Sequence, residues 1–306
     1  MSLPKIVSTK ALHAALKEVP KLRVIDCTYA VTPKPDYKEF KDNWFGRFEE
    51  LRKRPSEHKT EFLKEHVPGS VHFDLDVGQY PGKYEKFSLY KPEIFEKYAQ
   101  ILGINGDEHL AFIGRGPFSG MLFPARCYML FKCYGLNKLS LVDGGFADWK
   151  RNGFEIESTK GNDYPEVPRG NFKAKDEIAK NMISFEEFNK EGGILDNKDL
   201  ANVFDNRVRP QFEGKQDTGL NPQYVTGTRI PNTTNVPSIE FLKFYKDYKP
   251  DKPTITFCNA GIQASLAAIV QQEIFPDAQI RVYNGSMKEM EIRAPKRISE
   301  GPQHIK

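Results

Sequence analysis

The chain has 306 residues, of which 39% are hydrophobic and 28% charged, as in ordinary folded proteins. Its formal net charge of +4 is small and no long basic run accompanies it, so neither nucleic acid nor a membrane surface is an expected partner. No apolar stretch reaches the ~20 residues of a membrane helix, and the start, Met-Ser-Leu-Pro-Lys, lacks the apolar run of a signal peptide. We therefore expect a cytoplasmic protein, with a mitochondrial share left open.

The cysteines and histidines argue against disulfides and metals. The four cysteines are scattered and form no Cys-x-x-Cys pair, which excludes a disulfide framework and a zinc site of common spacing. The six histidines include no His-x-x-x-His pair. We expect no metal site.

In chain order, the first half alternates short apolar runs with helical patterns. After the first strand, an aromatic and charged insertion over 29–65 contains a predicted amphipathic surface helix at 36–54, whose charges we interpret as a solvated face. A Pro-containing element follows at 66–71, then a strand leading into a Gly-bearing loop, a helical segment and a strand with a Gly turn. These elements cover 22–27, 110–116, 124–134 and 139–145.

The second half repeats this order. Its strand, Pro-containing element, strand and loop, helical segment and closing strand lie at 202–207, 229–237, 254–261, 264–275 and 280–286. Strands that alternate with helices predict βαβ units around a parallel sheet. We predict an α/β fold of two tandem domains, 1–156 and 176–306, joined by an exposed linker at 157–175 that is rich in Gly, Pro and charge.

Cys258 is the candidate nucleophile, because it ends the strand 254–257 and precedes a small-residue loop and a helix. Sites in α/β sheets form beyond the carboxyl ends of strands, and backbone N–H groups at a helix start favour an anion such as a thiolate. We predict that the helix runs from Leu266 to Glu273 with Ser265 as its N-cap. The alternative is a buried structural cysteine, the reading we prefer for Cys27, Cys127 and Cys133.

The duplicated pattern resembles the two-domain rhodanese family of thiosulfate and 3-mercaptopyruvate sulfurtransferases. The matching motifs are Val-Ile-Asp at 24–26, His-Val-Pro-Gly-Ser at 66–70, Asp-Gly-Gly-Phe-Ala-Asp-Trp at 143–149 and Phe-Cys-x-x-Gly at 257–261. The resemblance implies two rhodanese-like domains, of which only the second kept its cysteine. The position that corresponds to Cys258 in the first falls near Ile113-Gly114.

The resemblance also implies the activity. Cys258 would take a sulfur atom from a small anionic donor, 3-mercaptopyruvate or thiosulfate, as a persulfide, and pass it to cyanide or to a thiol, such as a thioredoxin-like protein. No cofactor is needed. His66 would transfer protons, with a purely structural role as the alternative. Arg207 would bind the donor's anionic end, with a surface or interdomain salt bridge as the alternative, and Arg209 would substitute for a second arginine that is replaced by Gln211. The loop residues Asn259, Ala260, Gly261, Ile262, Gln263 and Ala264 would surround the sulfur.

The loop departs from the family pattern, since Asn259 and Ala260 are neutral and Gln263 stands at a usual hydroxyl position. A neutral loop favours mercaptopyruvate over dianionic thiosulfate. The acidic partner of His66 is open between Glu57 and Glu61. A weakened scaffold with a binding or regulatory role is the alternative function. A cysteine phosphatase would need Cys-x-x-x-x-x-Arg, but Ala264 stands where that arginine belongs.

Overall fold

The computed structural model describes residues 3–238, 240 and 251–302. They form two compact units: the first runs to Glu177 apart from Tyr84–Lys86, which group with the second, and the second begins at Ile178. Within the described ranges, every helix is too short or too polar to cross a membrane.

Each unit contains a five-stranded parallel sheet, so the predicted α/β architecture is confirmed. The strands of the first are β1 (Ile6–Ser8), β2 (Leu22–Asp26), β3 (Val71–His72), β4 (His109–Ile113) and β5 (Leu139–Asp143). Those of the second are β6 (Met182–Ile183), β7 (Asn202–Asp205), β8 (Thr234–Asn235), β9 (Thr254–Phe257) and β10 (Ile280–Tyr283). The strand orders β1-β5-β4-β2-β3 and β6-β10-β9-β7-β8 are equivalent, which confirms the sequence repeat.

Helices cover these sheets. The first unit has α1 (Thr9–Glu18), α2 (Tyr37–Asn43), α3 (Phe48–Lys53), α4 (Glu57–Lys64), α5 (Leu75–Gly78), α6 (Pro92–Ile101), α7 (Leu122–Cys133) and α8 (Gly145–Arg151). The second has α9 (Ile178–Asn181), α10 (Phe185–Phe188), α11 (Arg209–Phe212), α12 (Ile262–Ile274), α13 (Ser286–Arg293) and a 3₁₀ turn, Pro295–Arg297. Strand and helix side chains form the cores, with Val24, Ile113 and Trp149 buried in the first and Phe188, Phe257 and Tyr283 in the second.

Two predicted elements differ from the structure. The single helix expected over 36–54 is wrong: α2 and α3 are separate, because Gly46 adopts a φ of 74° that a continuing helix does not allow. The 157–175 segment, predicted to be an exposed linker, packs in part on the first unit. Phe172 is buried, and its N–H donates to the Ile104 carbonyl at 3.1 Å. The apolar side chains of this segment explain why it packs on the unit, although its Gly and Pro content predicts a linker.

Candidate functional site

Cys258 follows the last residue of β9 and lies where the chain leaves the sheet for α12. The residue is only 2% exposed. Its N–H donates to Ser286 Oγ at 3.1 Å, and its carbonyl accepts from the Met287 N–H at 3.0 Å. The next carbonyl, of Asn259, accepts from the Lys288 N–H at 3.1 Å. The start of α13 therefore holds the backbone on both sides of the thiol.

The helix after Cys258 begins earlier than its sequence suggests. It starts at Ile262, with Gly261 as N-cap at a φ of 77°, so the prediction that Ser265 caps a helix beginning at Leu266 is wrong. Ser265 lies in the first turn, where its N–H and its hydroxyl both donate to the Gly261 carbonyl, at 3.2 and 2.7 Å. Gly261 terminates the loop because glycine adopts positive φ without strain.

The loop and the first turn of α12 carry a row of unused donors. Among the described residues, none of the six backbone N–H groups from Asn259 to Ala264 has a hydrogen-bond acceptor. The last three are the first N–H groups of the helix, which have no partner inside it and lie at the positive end of its dipole. Consecutive free N–H groups of this kind bind anions.

Arg207 has partners that differ from the donor anion implied by the resemblance. It is fully buried, and its guanidinium donates to both carboxylate oxygens of Asp205 at 2.6–3.0 Å and to the Thr228 carbonyl at 2.9 Å. Only its Nη1 lacks a partner among the described residues. Because Asp205 already compensates its charge, Arg207 stabilises the end of β7, which pairs with Phe257 beside the cysteine.

Arg209 is the more accessible of the two arginines. Its side chain is 43% exposed and donates from Nη2 to Glu240 Oε2 at 2.6 Å. Gln211, at the position of the second family arginine, donates to the Asp217 carbonyl at 3.1 Å. An exposed ion pair contributes only about 0–1 kcal/mol, so Arg209 can exchange its partner at small cost.

His66 belongs to the first unit, whereas Cys258 and both arginines belong to the second. Its Nδ1 lies 2.8 Å from the Phe62 carbonyl, which can only accept, so Nδ1 carries the proton and Nε2 is the nitrogen that can exchange one. Its acidic neighbour is Glu157, with Oε2 3.8 Å from Nε2, and neither Glu57 nor Glu61. Glu157 was missed because it lies far along the chain, in the segment that we expected to be an exposed linker.

The first unit has no equivalent of the thiol. Ile113 pairs with Asp26 as Phe257 pairs with Asp205, which aligns Gly114 with Cys258. Arg115, the next residue, pairs with the end of β2: its Nη1 lies 3.2 Å from Asp26 Oδ2 and also donates to Thr28 Oγ1, and the guanidinium lies 4.0 Å from the centre of the Phe146 ring. An aspartate–arginine pair therefore ends the corresponding strand in both units, but the arginine comes from different loops.

The other cysteines are packing residues, as expected. Cys27, Cys127 and Cys133 are all 0% exposed. Burial raises the pKa of the Cys27 thiol well above its usual range and that of Cys133 to about 12. Thiols with such raised pKa values are poor nucleophiles.

Within the described ranges, one group of side chains lies close enough together to bind a metal ion. It consists of His58, Asp74 and Asp76, whose candidate ligand atoms lie within 4.8 Å of one another. Its members are already hydrogen-bonded. His58 Nε2 lies 3.0 Å from Asp74 Oδ2, and Asp76 accepts from the Tyr29 and Thr32 hydroxyls, each at 2.9 Å. The arrangement is that of a buried polar network.

Comparison with known proteins identifies the family of this chain. A family model described as the rhodanese-like domain matches residues 10–152 and 193–292. The chain belongs to the rhodanese family. Its family and its curated relatives place the chain among the sulfurtransferases, which are enzymes that transfer sulfur-containing groups.

Curated relatives cover most or all of this chain. A Caenorhabditis elegans protein, provisionally named a thiosulfate sulfurtransferase, is 44% identical over 100% of this chain and 99% of its own. Mouse 3-mercaptopyruvate sulfurtransferase is 27% identical over 83% of this chain and 84% of its own.

Solved structures share the fold. The Escherichia coli 3-mercaptopyruvate sulfurtransferase SseA aligns with a TM-score of 0.70 at 21% identity, over 93% of this chain and 99% of its own. The Saccharomyces cerevisiae protein Tum1 aligns with a TM-score of 0.74 at 20% identity, over 98% and 99%.

Proposed function

We propose that the rhodanese moves a sulfane sulfur from a small anionic donor to a thiol or cyanide through a persulfide on Cys258. The observation that carries this proposal is the row of six backbone N–H groups directly after the cysteine, for which the described part of the chain offers no acceptor. A persulfide is an anion, and fixed donors that need no reorganisation stabilise such a charge most effectively.

The proposed reaction has two steps. The Cys258 thiolate attacks the outer sulfur of the donor; an S–S bond forms, and the bond between that sulfur and the rest of the donor breaks. From thiosulfate, the remaining group leaves as sulfite. From 3-mercaptopyruvate, it leaves as the enolate of pyruvate, which takes up the proton of the donor thiol. The acceptor next attacks the terminal sulfur and releases the Cys258 thiolate. Covalent catalysis of this kind divides one difficult transfer into two easier ones.

We propose 3-mercaptopyruvate as the favoured donor. Asn259, Ala260 and Gln263 add no positive charge to the loop, and the charge of Arg207 is compensated by Asp205. Arg209, whose ion pair is exposed, is the arginine that we assign to the donor carboxylate. Because the loop residues 259–264 carry no charge, one arginine suits a singly charged carboxylate better than a dianion. The loop residues from Asn259 to Ala264 contribute through their backbone.

His66 remains our proposal for proton transfer to the leaving enolate. Its Nδ1 proton is directed at the Phe62 carbonyl, which leaves Nε2 as the exchanging nitrogen. Histidine is the side chain best suited to such transfer near neutral pH.

One observation favours the second candidate function, a regulatory or binding protein on a weakened catalytic scaffold. Cys258 is 2% exposed, and reactive cysteines are commonly more accessible. A binding protein on this scaffold would retain the fold and form no persulfide, which an adduct experiment detects.

The test is intact-mass spectrometry after incubation with 3-mercaptopyruvate or with thiosulfate. We expect the protein to gain one sulfur atom, to lose it on addition of cyanide, and to gain none in the Cys258→Ser variant. Cys133→Ala serves as the matched control and should still gain the sulfur. An unmodified wild-type protein with both donors would support the binding protein instead.

A further inference from the structure

Ser286, the first residue of α13, has a backbone conformation that is unusual for its type. Its φ is 51°, in the left-handed region that favours glycine, and its side chain is fully buried. Non-glycine residues in this region are uncommon, and strained residues that persist tend to lie at functional sites. The surroundings of Ser286 therefore need a specific explanation.

The first unit places glycine at the same position. There, Gly145 has a φ of 57° and begins α8, and the Phe146 N–H donates to the Gly114 carbonyl at 2.9 Å. This bond corresponds to the one from the Met287 N–H to the Cys258 carbonyl at 3.0 Å. A Cβ atom at Gly145 would lie 2.6 Å from the Gly114 oxygen, so this loop leaves no room for a side chain. The second unit accommodates one beside its cysteine.

The Ser286 hydroxyl uses this room to bind the cysteine backbone. It donates to the Tyr283 carbonyl at 2.7 Å and accepts from the Cys258 N–H at 3.1 Å. A hydroxyl has a single proton, so the bond to Tyr283 leaves the oxygen lone pairs for Cys258. Without this oxygen, the buried Cys258 N–H would lose its acceptor at a substantial cost.

The two peptide groups that flank Cys258 are thus both anchored by consecutive residues. Ser286 Oγ binds the N–H before the Cα atom, and the Met287 N–H binds the carbonyl after it. Together they restrict both backbone angles of Cys258, which determine the direction of its Cα–Cβ bond and hence the position of the sulfur. The second peptide also orients the Asn259 N–H, the first of the six unused donors.

We propose that Ser286 is a positioning residue of the sulfur-transfer site: its hydroxyl fixes the Cys258 backbone so that the thiol and the N–H groups of 259–264 share one geometry. This inference rests on the proposed function for its kinetic consequence, but its structural part stands by itself. Ser286 touches the cysteine backbone and takes no part in bond making.

The experiment compares Ser286→Gly and Ser286→Ala in the full chain. Glycine removes the hydroxyl and relieves the strain, as in the first unit, whereas alanine removes only the hydroxyl. With 3-mercaptopyruvate and cyanide, we expect kcat per folded molecule to fall roughly tenfold or more in both with KM near the wild-type value, because small displacements of reacting groups slow enzymes by up to about two orders of magnitude. Amide hydrogen exchange at Cys258, Met287 and Lys288, whose N–H groups are hydrogen-bonded around this anchor, should accelerate in both.

Ser184→Ala is the matched control, since it removes a serine hydroxyl that caps α10 in the same unit. It should lower the melting temperature and leave kcat unchanged. Wild-type kcat in both Ser286 variants, or a loss that only follows the unfolded fraction, would overturn the proposal. If the wild-type protein forms no persulfide, the proposed function fails. Hydrogen exchange then decides Ser286 alone: unchanged protection of the Cys258, Met287 and Lys288 amides in both variants rejects it, and faster exchange confined to these amides supports it.

Discussion

At the scale of single residues, Arg207 and Asp205 show how burial changes the role of a side chain. Both are fully buried, and the guanidinium forms two parallel contacts to the carboxylate, from Nε to Oδ1 at 3.0 Å and from Nη2 to Oδ2 at 2.6 Å. Such a pair offsets its own desolvation only while both partners are present. The sequence motif therefore suggests an anion-binding arginine, whereas the burial of Arg207 with Asp205 indicates a pair that stabilises the fold beside Cys258.

This burial yields a prediction for Arg207→Ala. We expect the free energy of unfolding to fall by about 3–5 kcal/mol, because the variant leaves the Asp205 charge buried without its partner. Urea denaturation measures the loss. Replacing both residues by apolar ones of similar volume should cost less than the single change. A stable Arg207→Ala protein with a strongly raised KM would instead return this arginine to donor binding.

His58 and Asp74 form the corresponding polar pair of the first unit, 3.0 Å apart. Burial lowers the pKa of His58, but the hydrogen bond and the charge of Asp74 outweigh it and raise the pKa above its ordinary 6.5. Burial raises the pKa of Asp74, but the same hydrogen bond and the positive charge of His58 bring it below 3.8. Both residues are therefore charged at pH values between the two shifted pKa values.

The sign of both shifts predicts a pH dependence. The raised His58 pKa contributes stability that is complete below 6.5 and is lost as the pH rises through the shifted value. The lowered Asp74 pKa contributes stability that is lost as the pH falls through its own shifted value. Unfolding free energies of wild type and His58→Gln, measured over a pH series, should differ most between the two values and converge on the alkaline side. A constant difference would contradict the assignment.

At the scale of elements, the loop between β9 and α12 is shorter than its sequence suggests. Gln263 and Ala264 were expected in the loop, yet they form the first turn of α12. The small residues and Gly261 indicate a turn, but they do not reveal that the helix begins directly after the glycine. The earlier start matters because it adds N–H groups at a helix terminus to those of the loop.

The elements around the cysteine also show how the two halves differ at corresponding strand ends. In the first unit, the loop after β4 supplies Arg115 to Asp26, whereas in the second unit the partner of Asp205 comes from the end of β7. The second loop is thereby released from binding a carboxylate. Its N–H groups, which have no acceptor among the residues that the structure describes, remain available for a different anion.

At the scale of the whole molecule, this asymmetry predicts that a thiol cannot simply be moved to the first half. A Cβ atom at Gly114 would lie 2.8 Å from Pro124 Cγ, closer than real contacts allow, and Arg115 occupies the strand end. We expect Gly114→Cys in the Cys258→Ser background to gain no sulfur from 3-mercaptopyruvate by intact-mass spectrometry, as Cys258→Ser alone gains none. A persulfide on residue 114 would show that the two halves differ only by one side chain.

Much of this organisation was predictable from the sequence, because alternation of apolar strands and helices and a motif that recurs are local features. They identified two α/β halves and the placement of Cys258 at a strand end, which the fold confirms, and the rhodanese family, which the family model confirms. Hydrophobic periodicity suffices for such features, since burial of strands and helices is decided largely by local patterning.

The partners of individual side chains were decided only by the tertiary structure. Glu157 lies beside His66 across 91 positions of sequence, Asp205 compensates Arg207 although the motif suggests a free cation, and Ser286 reaches Cys258 from 28 residues away. Such contacts depend on how the sheet brings distant strand ends together, and no local pattern encodes them. The sequence alone therefore determined where the candidate nucleophile lies, and folding determined which groups hold it in place.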